Sequence, residues 1–169
     1  TYLAMSFRMT MQEKLSINNI RLEEAYEEIN EQKKIVEIKN SDITDSINYA
    51  RNIQQSIVPS KSGLAEFLPE SFIFYRVKDI VSGDFYWYHK HGDELVIAAA
   101  DCTGHGVPGA LVSMIGVTLL KQTVDIQGIH QPGNILNNLQ KEIASFLHRG
   151  SNDGMDIALC SVNTKTMTL

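Results

Sequence analysis

The chain has 169 residues, of which 43% are hydrophobic and 21% charged, the proportions of a folded protein rather than a disordered one. Lys and Arg number 15 against 20 Asp and Glu, a net charge of −5 that gives no support to a nucleic-acid-binding surface. Cys102 and Cys160 are far apart and outside any CxxC pair or His/Cys cluster, which argues against a disulfide framework and a structural zinc site and for a reducing, cytoplasmic setting. No run of about 18 apolar residues is evident for a membrane span. Thr1–Phe7 lacks the basic flank and cleavage pattern of a signal peptide, and the missing initiator Met suggests a piece of something longer.

Composition changes at Pro59: all 11 Gly and all 4 Pro lie from there onward. The expected organisation is a signalling helix over 1–58 and a mixed globular part over 59–169. Within the first part Leu15, Leu22, Ile29, Val36, Ile43, Ala50 and Ile57 recur at heptad spacing, the pattern of a coiled coil. The second seam is poor. With Leu15 as d, the a positions read Asn19, Tyr26, Lys33, Asn40, Ile47 and Gln54; with Leu15 as a, the d positions read Asn18, Ala25, Gln32, Lys39, Ser46 and Ile53. A half-polar seam lowers stability but sets register or permits two packings. The stripe predicts a parallel homodimer about 60 Å long; the alternative is a solvated helix folded back on its own domain. Asn40-Ser41-Asp42 offers an N-cap at which a second helix could begin.

Beyond a loop at Lys61-Ser62-Gly63, Ser71–Lys78, Asp84–Lys90 and Glu94–Ala100 read as strands, the last two joined by a hairpin turn at Gly92-Asp93. Val107–Ile126 and Pro132–His148 read as helices with Pro in the first turn, and Met155–Val162 as a strand followed by a turn at Asn163–Thr166. The expected order is β-β-β-α-α-β.

The hairpin carries the chemistry. A turn at Gly92-Asp93 sets Asp84 opposite Asp101, and directly opposed residues share a sheet face with Cβ atoms about 4.5–5.5 Å apart. Two carboxylates that close repel, so either one is protonated or a cation sits between them. Gly83 precedes Asp84, and Gly104 and Gly106 follow Asp101; such loops admit backbone carbonyls and water. Mg²⁺ and Mn²⁺ take such oxygen ligands, and two ions about 3.5–4 Å apart can clamp a phosphoryl group. Gly104-His105-Gly106 leads into a helix whose N-terminus favours phosphate. His105 is a candidate general acid, or simply an exposed loop residue. Cys102 is expected to contribute only its backbone carbonyl. Asp156 is either a third carboxylate or a solvated strand end.

Ser82-Gly83-Asp84-Phe85-Tyr86-Trp87, Asp101-Cys102-Thr103-Gly104-His105-Gly106-Val107-Pro108-Gly109-Ala110 and Asp156-Ile157-Ala158-Leu159 together resemble the SpoIIE-like branch of the metal-dependent (type 2C, PPM) serine/threonine phosphatases. Ile43–Pro59 resembles the helix that precedes this domain in bacterial sensor phosphatases. The resemblance implies an α+β fold, the PPM sandwich of two antiparallel sheets flanked by helices, here its N-terminal part. It implies two Mn²⁺ or Mg²⁺ ions, with Asp84, Asp101 and the Cys102 carbonyl as ligands, and water attack on phosphoserine or phosphothreonine. It also implies a small phosphoprotein substrate such as an anti-anti-sigma-type regulator, and an upstream membrane or sensor module, with Thr1–Met11 as its cytoplasmic exit. The family's domain continues past the Asp156-type strand and supplies a late metal-ligating Asp, so the 169-residue chain is expected to be inactive or nearly so by itself. Two rival readings remain: a catalytically incomplete dimeric scaffold, and an unrelated metal-dependent hydrolase using Asp84, Asp101 and His105.

Overall fold

The computed structural model describes residues 2–147 and 153–169. Residues 1–45 and 46–169 form two compact units. A single helix, α1 (Tyr2–Ile57), supplies the first unit and opens the second. It runs without a break through Asn40-Ser41-Asp42, so no second helix begins there. With no Gly or Pro, nothing interrupts the i→i−4 ladder, and polar residues inside a helix cost only tenths of a kcal/mol each. In the first unit the heptad residues Leu15, Leu22, Ile29, Val36 and Ile43 are all exposed. Thr1, the first residue of the stretch expected to leave a membrane module, lies outside the described residues.

The second unit begins with the last three turns of α1, because Gln54 is buried there and Ile57 and Val58 pack on the core. A 3₁₀ turn at Gly63–Glu66 follows the expected loop. The hairpin pairs β1 (Phe85–His91) with β2 (Glu94–Cys102) antiparallel, in the register from Phe85↔Ala100 to His91↔Glu94 that a Gly92-Asp93 turn dictates. Strand β3 (Met155–Asn163) pairs antiparallel with the other edge of β2, giving a three-stranded sheet in the order β1-β2-β3. Between β2 and β3 the chain forms α2 (Gly106–Lys121), one wider π turn (Gln122–Ile126) and α3 (Pro132–Phe146). His148, the expected end of α3, lies outside the described residues.

The fold is therefore α+β, and the described residues contribute one sheet of the sandwich. Ser71–Lys78 is not a strand, which corrects the expected β-β-β-α-α-β order to β-β-α-α-β. Its composition suits a pleated surface, but strand propensity is realised only against a hydrogen-bonding neighbour. This segment has no ladder partner among the described residues, and Phe72 and Phe74 are exposed.

Alternation assigns the two sheet faces. Phe85, Trp87, Val96, Ala98, Ala100 and Cys102 point to one side and are buried beneath α2 and α3. Leu120 and Ile135 of those helices are fully buried, each contributing about 1.5–3 kcal/mol. Gly106–Ile126 is long and apolar enough to cross a membrane, contrary to the reading that no such run exists. In the fold it is a core helix, with Val112, Val117 and Leu120 packed in the cluster under the sheet. The opposite face carries Ala99, Asp101, Asp156 and Ala158, all exposed.

Glycine brings α2 against the strand ends. A methyl on Gly83 would fall 2.9 Å from the Gly104 carbonyl oxygen, and one on Gly109 would collide with that same carbonyl group and come within 3.1 Å of Gly83 Cα. Side chains at either position would push α2 off the loop that carries Asp84. Gly109→Ala should therefore destabilise the protein by about 1–3 kcal/mol in a denaturant titration. Gly133→Ala in α3, where a methyl meets nothing within 4 Å, should be neutral or stabilising by up to about 1 kcal/mol.

Candidate functional site

Asp84 immediately precedes β1 and Asp101 is the penultimate residue of β2, one step beyond the Phe85↔Ala100 pair. The register that buries Phe85 and Ala100 thus forces the two aspartates together at the open end of the hairpin. Loss of hydration around Asp84, followed by a side-chain hydrogen bond to Asp101 and the repulsion of its charge, raises the Asp84 pKa above the ordinary carboxylate value. The Asp84 backbone is held from two sides: its N–H donates to Ser82 Oγ at 3.1 Å, and its carbonyl accepts from Tyr75 Oη at 3.0 Å.

Asp156 is the register partner of Asp101 across the β2–β3 ladder. All three carboxylates line one open cavity of about 540 Å³ on the sheet face away from the helices. Ala99 and Ala158 form its floor and Ile73–Arg76 one wall. Small floor residues leave room above the sheet. Among the described residues no three His, Cys, Asp or Glu side chains close into a metal cage, so Asp84 and Asp101 form the pair and Asp156 stands beside it.

The donors suit a hard divalent cation. They are carboxylate oxygens, with the carbonyls of Cys102 and Gly104 close by, 3.2 and 2.9 Å from where a Gly83 side chain would begin. No imidazole or thiolate joins them in the cavity lining. The Cys102 thiol points into the core, and burial and then the charges of Asp101 and Asp84 push it up to about 12, which removes it as a nucleophile at neutral pH.

The remaining sequence candidates are placed as follows. His105 is the N-cap residue of α2, makes no capping bond with its side chain, and is mostly exposed. Its Nδ1 lies 3.4 Å from Asp79 Oδ2, and it does not line the cavity of the three carboxylates. Gly104 and Gly106 have φ of 87° and 63°, which lets the chain reverse from β2 into α2. Asp79 is the neighbour found at Gly106: its Oδ2 is 3.9 Å from where a Gly106 side chain would begin. Thr103 ties the β2 end to the start of β3, through its N–H and Oγ1 to the Gly154 carbonyl at 2.9 and 3.1 Å.

Sequence reasoning missed four participants. Gln54, Ser82 and Ser113 form a buried polar cluster behind Asp84, and Tyr75 supports it from the irregular segment. A polar residue at a heptad position was the only available signal for Gln54. None existed for Tyr75, whose segment reads as an ordinary strand.

No family model matches the chain. Over 103 residues, 60% of this chain, it is 34% identical to the phosphoserine phosphatase RsbU of Bacillus subtilis (strain 168). The solved SiaA PP2C domain of Pseudomonas aeruginosa superposes with a TM-score of 0.66 at 35% identity, covering 75% of this chain. The chain spans 30% of the length of RsbU and 51% of the SiaA domain chain. Sequence and fold thus relate it to the SpoIIE- and RsbU-like branch of the PPM phosphatases.

The raised Asp84 pKa sets a pH dependence. The folded state holds the Asp84 proton more tightly than the unfolded chain. Stability is therefore lost as pH rises from the ordinary Asp value through the raised one, and the repulsion is fully felt above it. Asp84→Asn should raise the melting temperature of the metal-free protein at pH 7 by about 1–2 °C, a small effect because the pair is solvent-screened. Calorimetry should show the difference closing as pH falls toward 3.

Proposed function

We propose that this chain is the metal-binding part of a protein-serine/threonine phosphatase that hydrolyses a phosphoester on a regulatory phosphoprotein. The carrying observation is the Asp84–Asp101 pair, two carboxylates brought together beside an open cavity on the sheet face away from α2 and α3. The similarity to a phosphoserine phosphatase supports the reaction class. The substrate is a phosphoserine or phosphothreonine on a small partner protein of the anti-anti-sigma type, acted on in the cytoplasm, and the upstream segment belongs to a sensor or membrane module.

Asp84 and Asp101, with the Cys102 carbonyl, hold Mn²⁺ or Mg²⁺; Asp156 flanks them, and ligands for a second ion come in addition. Bound metal supplies Lewis acidity and a water acidic enough to attack phosphorus near neutral pH. The residues of this chain do the rest. A cation between the two carboxylates would offset their mutual repulsion and favour the ionised form of both. Ser82 and Tyr75 fix the Asp84 backbone. Gly83, Gly104 and Gly106 let the loop of Asp84, the end of β2 and the start of α2 approach closely behind the carboxylates. His105, paired with Asp79 and outside the cavity, acts at the rim rather than as the proton donor.

In the full-length protein Asp101→Asn should weaken Mn²⁺ binding at least tenfold by calorimetry and lower Mn²⁺-dependent phosphate release from a phosphoserine peptide by about 10²-fold or more. Chelator should abolish the activity. Manganese affinity unaffected by the substitution would refute the site. The open carboxylate set also favours a second reading, a catalytically incomplete dimeric scaffold. Dimerisation without any metal-dependent turnover by the full-length protein would select it.

The exposed stripe Leu15, Leu22, Ile29, Val36 and Ile43 supports a parallel dimer through α1 that controls activity. Ile29→Asp with Val36→Asp should convert the full-length dimer to monomer in sedimentation and change its Mn²⁺-dependent activity. A monomer with wild-type activity and signal response would reduce the helix to a tether.

A further inference from the structure

The geometry points to Gln54 as a positioning residue for Asp84, acting from α1 through the peptide of Ser82. Gln54 is among the few buried polar residues, with 6% of its surface exposed. Its carboxamide grips one residue at both ends. Gln54 Nε2 donates to the Ser82 carbonyl at 2.6 Å, and Gln54 Oε1 accepts the Ser82 N–H at 3.2 Å. The remaining Nε2 proton goes to Ser113 Oγ of α2 at 2.8 Å, and that hydroxyl lies 3.2 Å from the same Ser82 carbonyl.

This is the two-bond pattern by which a strand holds its neighbour, supplied here by one side chain to a segment with no ladder of its own. The grip reaches the backbone of Asp84 in one further bond, since Ser82 Oγ accepts the Asp84 N–H at 3.1 Å. The next residue, Gly83, is pinned against the Gly104 carbonyl and Gly109. The two residues before Asp84 are thus held from α1 and α2, and Gln54 is the tie from α1. A leucine would fill the same space but leave the Ser82 N–H and carbonyl buried with fewer partners, freeing the loop to shift.

The consequence for metal binding rests on the metal reading above, whereas the grip itself does not. Gln54→Leu in the full-length protein should weaken Mn²⁺ binding about 10–100-fold by calorimetry, the range for residues that orient a ligand without touching the metal. It should also speed hydrogen exchange at the Asp84 amide. Ile135→Val, a core change in α3 far in sequence from this cluster, should lower the melting temperature but leave both readings at wild type. If Gln54→Leu does not fold, Ser113→Ala, which removes one partner of the carboxamide, should shift both readings in the same direction by less. Unchanged Mn²⁺ affinity in Gln54→Leu, while Asp84→Asn abolishes binding, would overturn the inference and leave the metal reading standing. If the wild-type protein binds no Mn²⁺, the metal reading fails instead, and exchange at the Asp84 amide decides: faster in Gln54→Leu supports the grip, unchanged protection refutes it.

Discussion

The pleated register of the β1–β2 hairpin cannot bury Phe85 against Ala100 without setting Asp84 beside Asp101. Hydrophobic burial of one sheet face thereby holds two carboxylates together on the other, where loss of hydration, and then the hydrogen bond and charge of Asp101, raise the Asp84 pKa. A one-residue slip would separate the carboxylates, but it would also turn Trp87, Val96 and Ala98 out of the core. The core therefore guarantees the site, and repulsion between the aspartates is stabilising for nothing except a ligand that neutralises it.

Around this pair the chain invests in backbone proximity rather than side chains. Gly83, Gly104 and Gly109 stack main chain on main chain, which brings the Asp84 loop, the end of β2 and the first turn of α2 into close contact. The sheet floor near the aspartates is alanine at 99 and 158. Beside the aspartates this face carries small residues, while farther along it Leu95 is fully buried.

Helix α1 serves two environments with one periodicity. Up to Ile43 its apolar stripe is exposed, whereas over its last turns Gln54 and Ile57 are drawn into the globular unit. Gln54 occupies the weaker seam in heptad terms, which is why it looked like an imperfection of a coiled coil. Its carboxamide is instead committed to Ser82 and Ser113. A polar residue that would weaken a helix pair becomes a connector once the helix meets a loop in need of hydrogen-bond partners.

Much of this was legible without coordinates, because it follows from local rules. A stretch without Gly or Pro makes one helix; Gly92-Asp93 between alternating runs makes a hairpin; the hairpin register makes the carboxylate pair; and Pro opens both later helices. What escaped depends on partners distant in sequence. Ser71–Lys78 has strand composition but no ladder to join. Nothing in its local sequence sets His105 against Asp79 or keeps it out of the cavity. Gln54 is buried only because Ser82 and Ser113, 28 and 59 residues away, present a carbonyl, an amide and a hydroxyl to it. Periodicity and turn chemistry act over a few residues and can be read along a chain, whereas the pairing of a polar group is settled only when tertiary packing decides which other polar groups are cut off from water beside it.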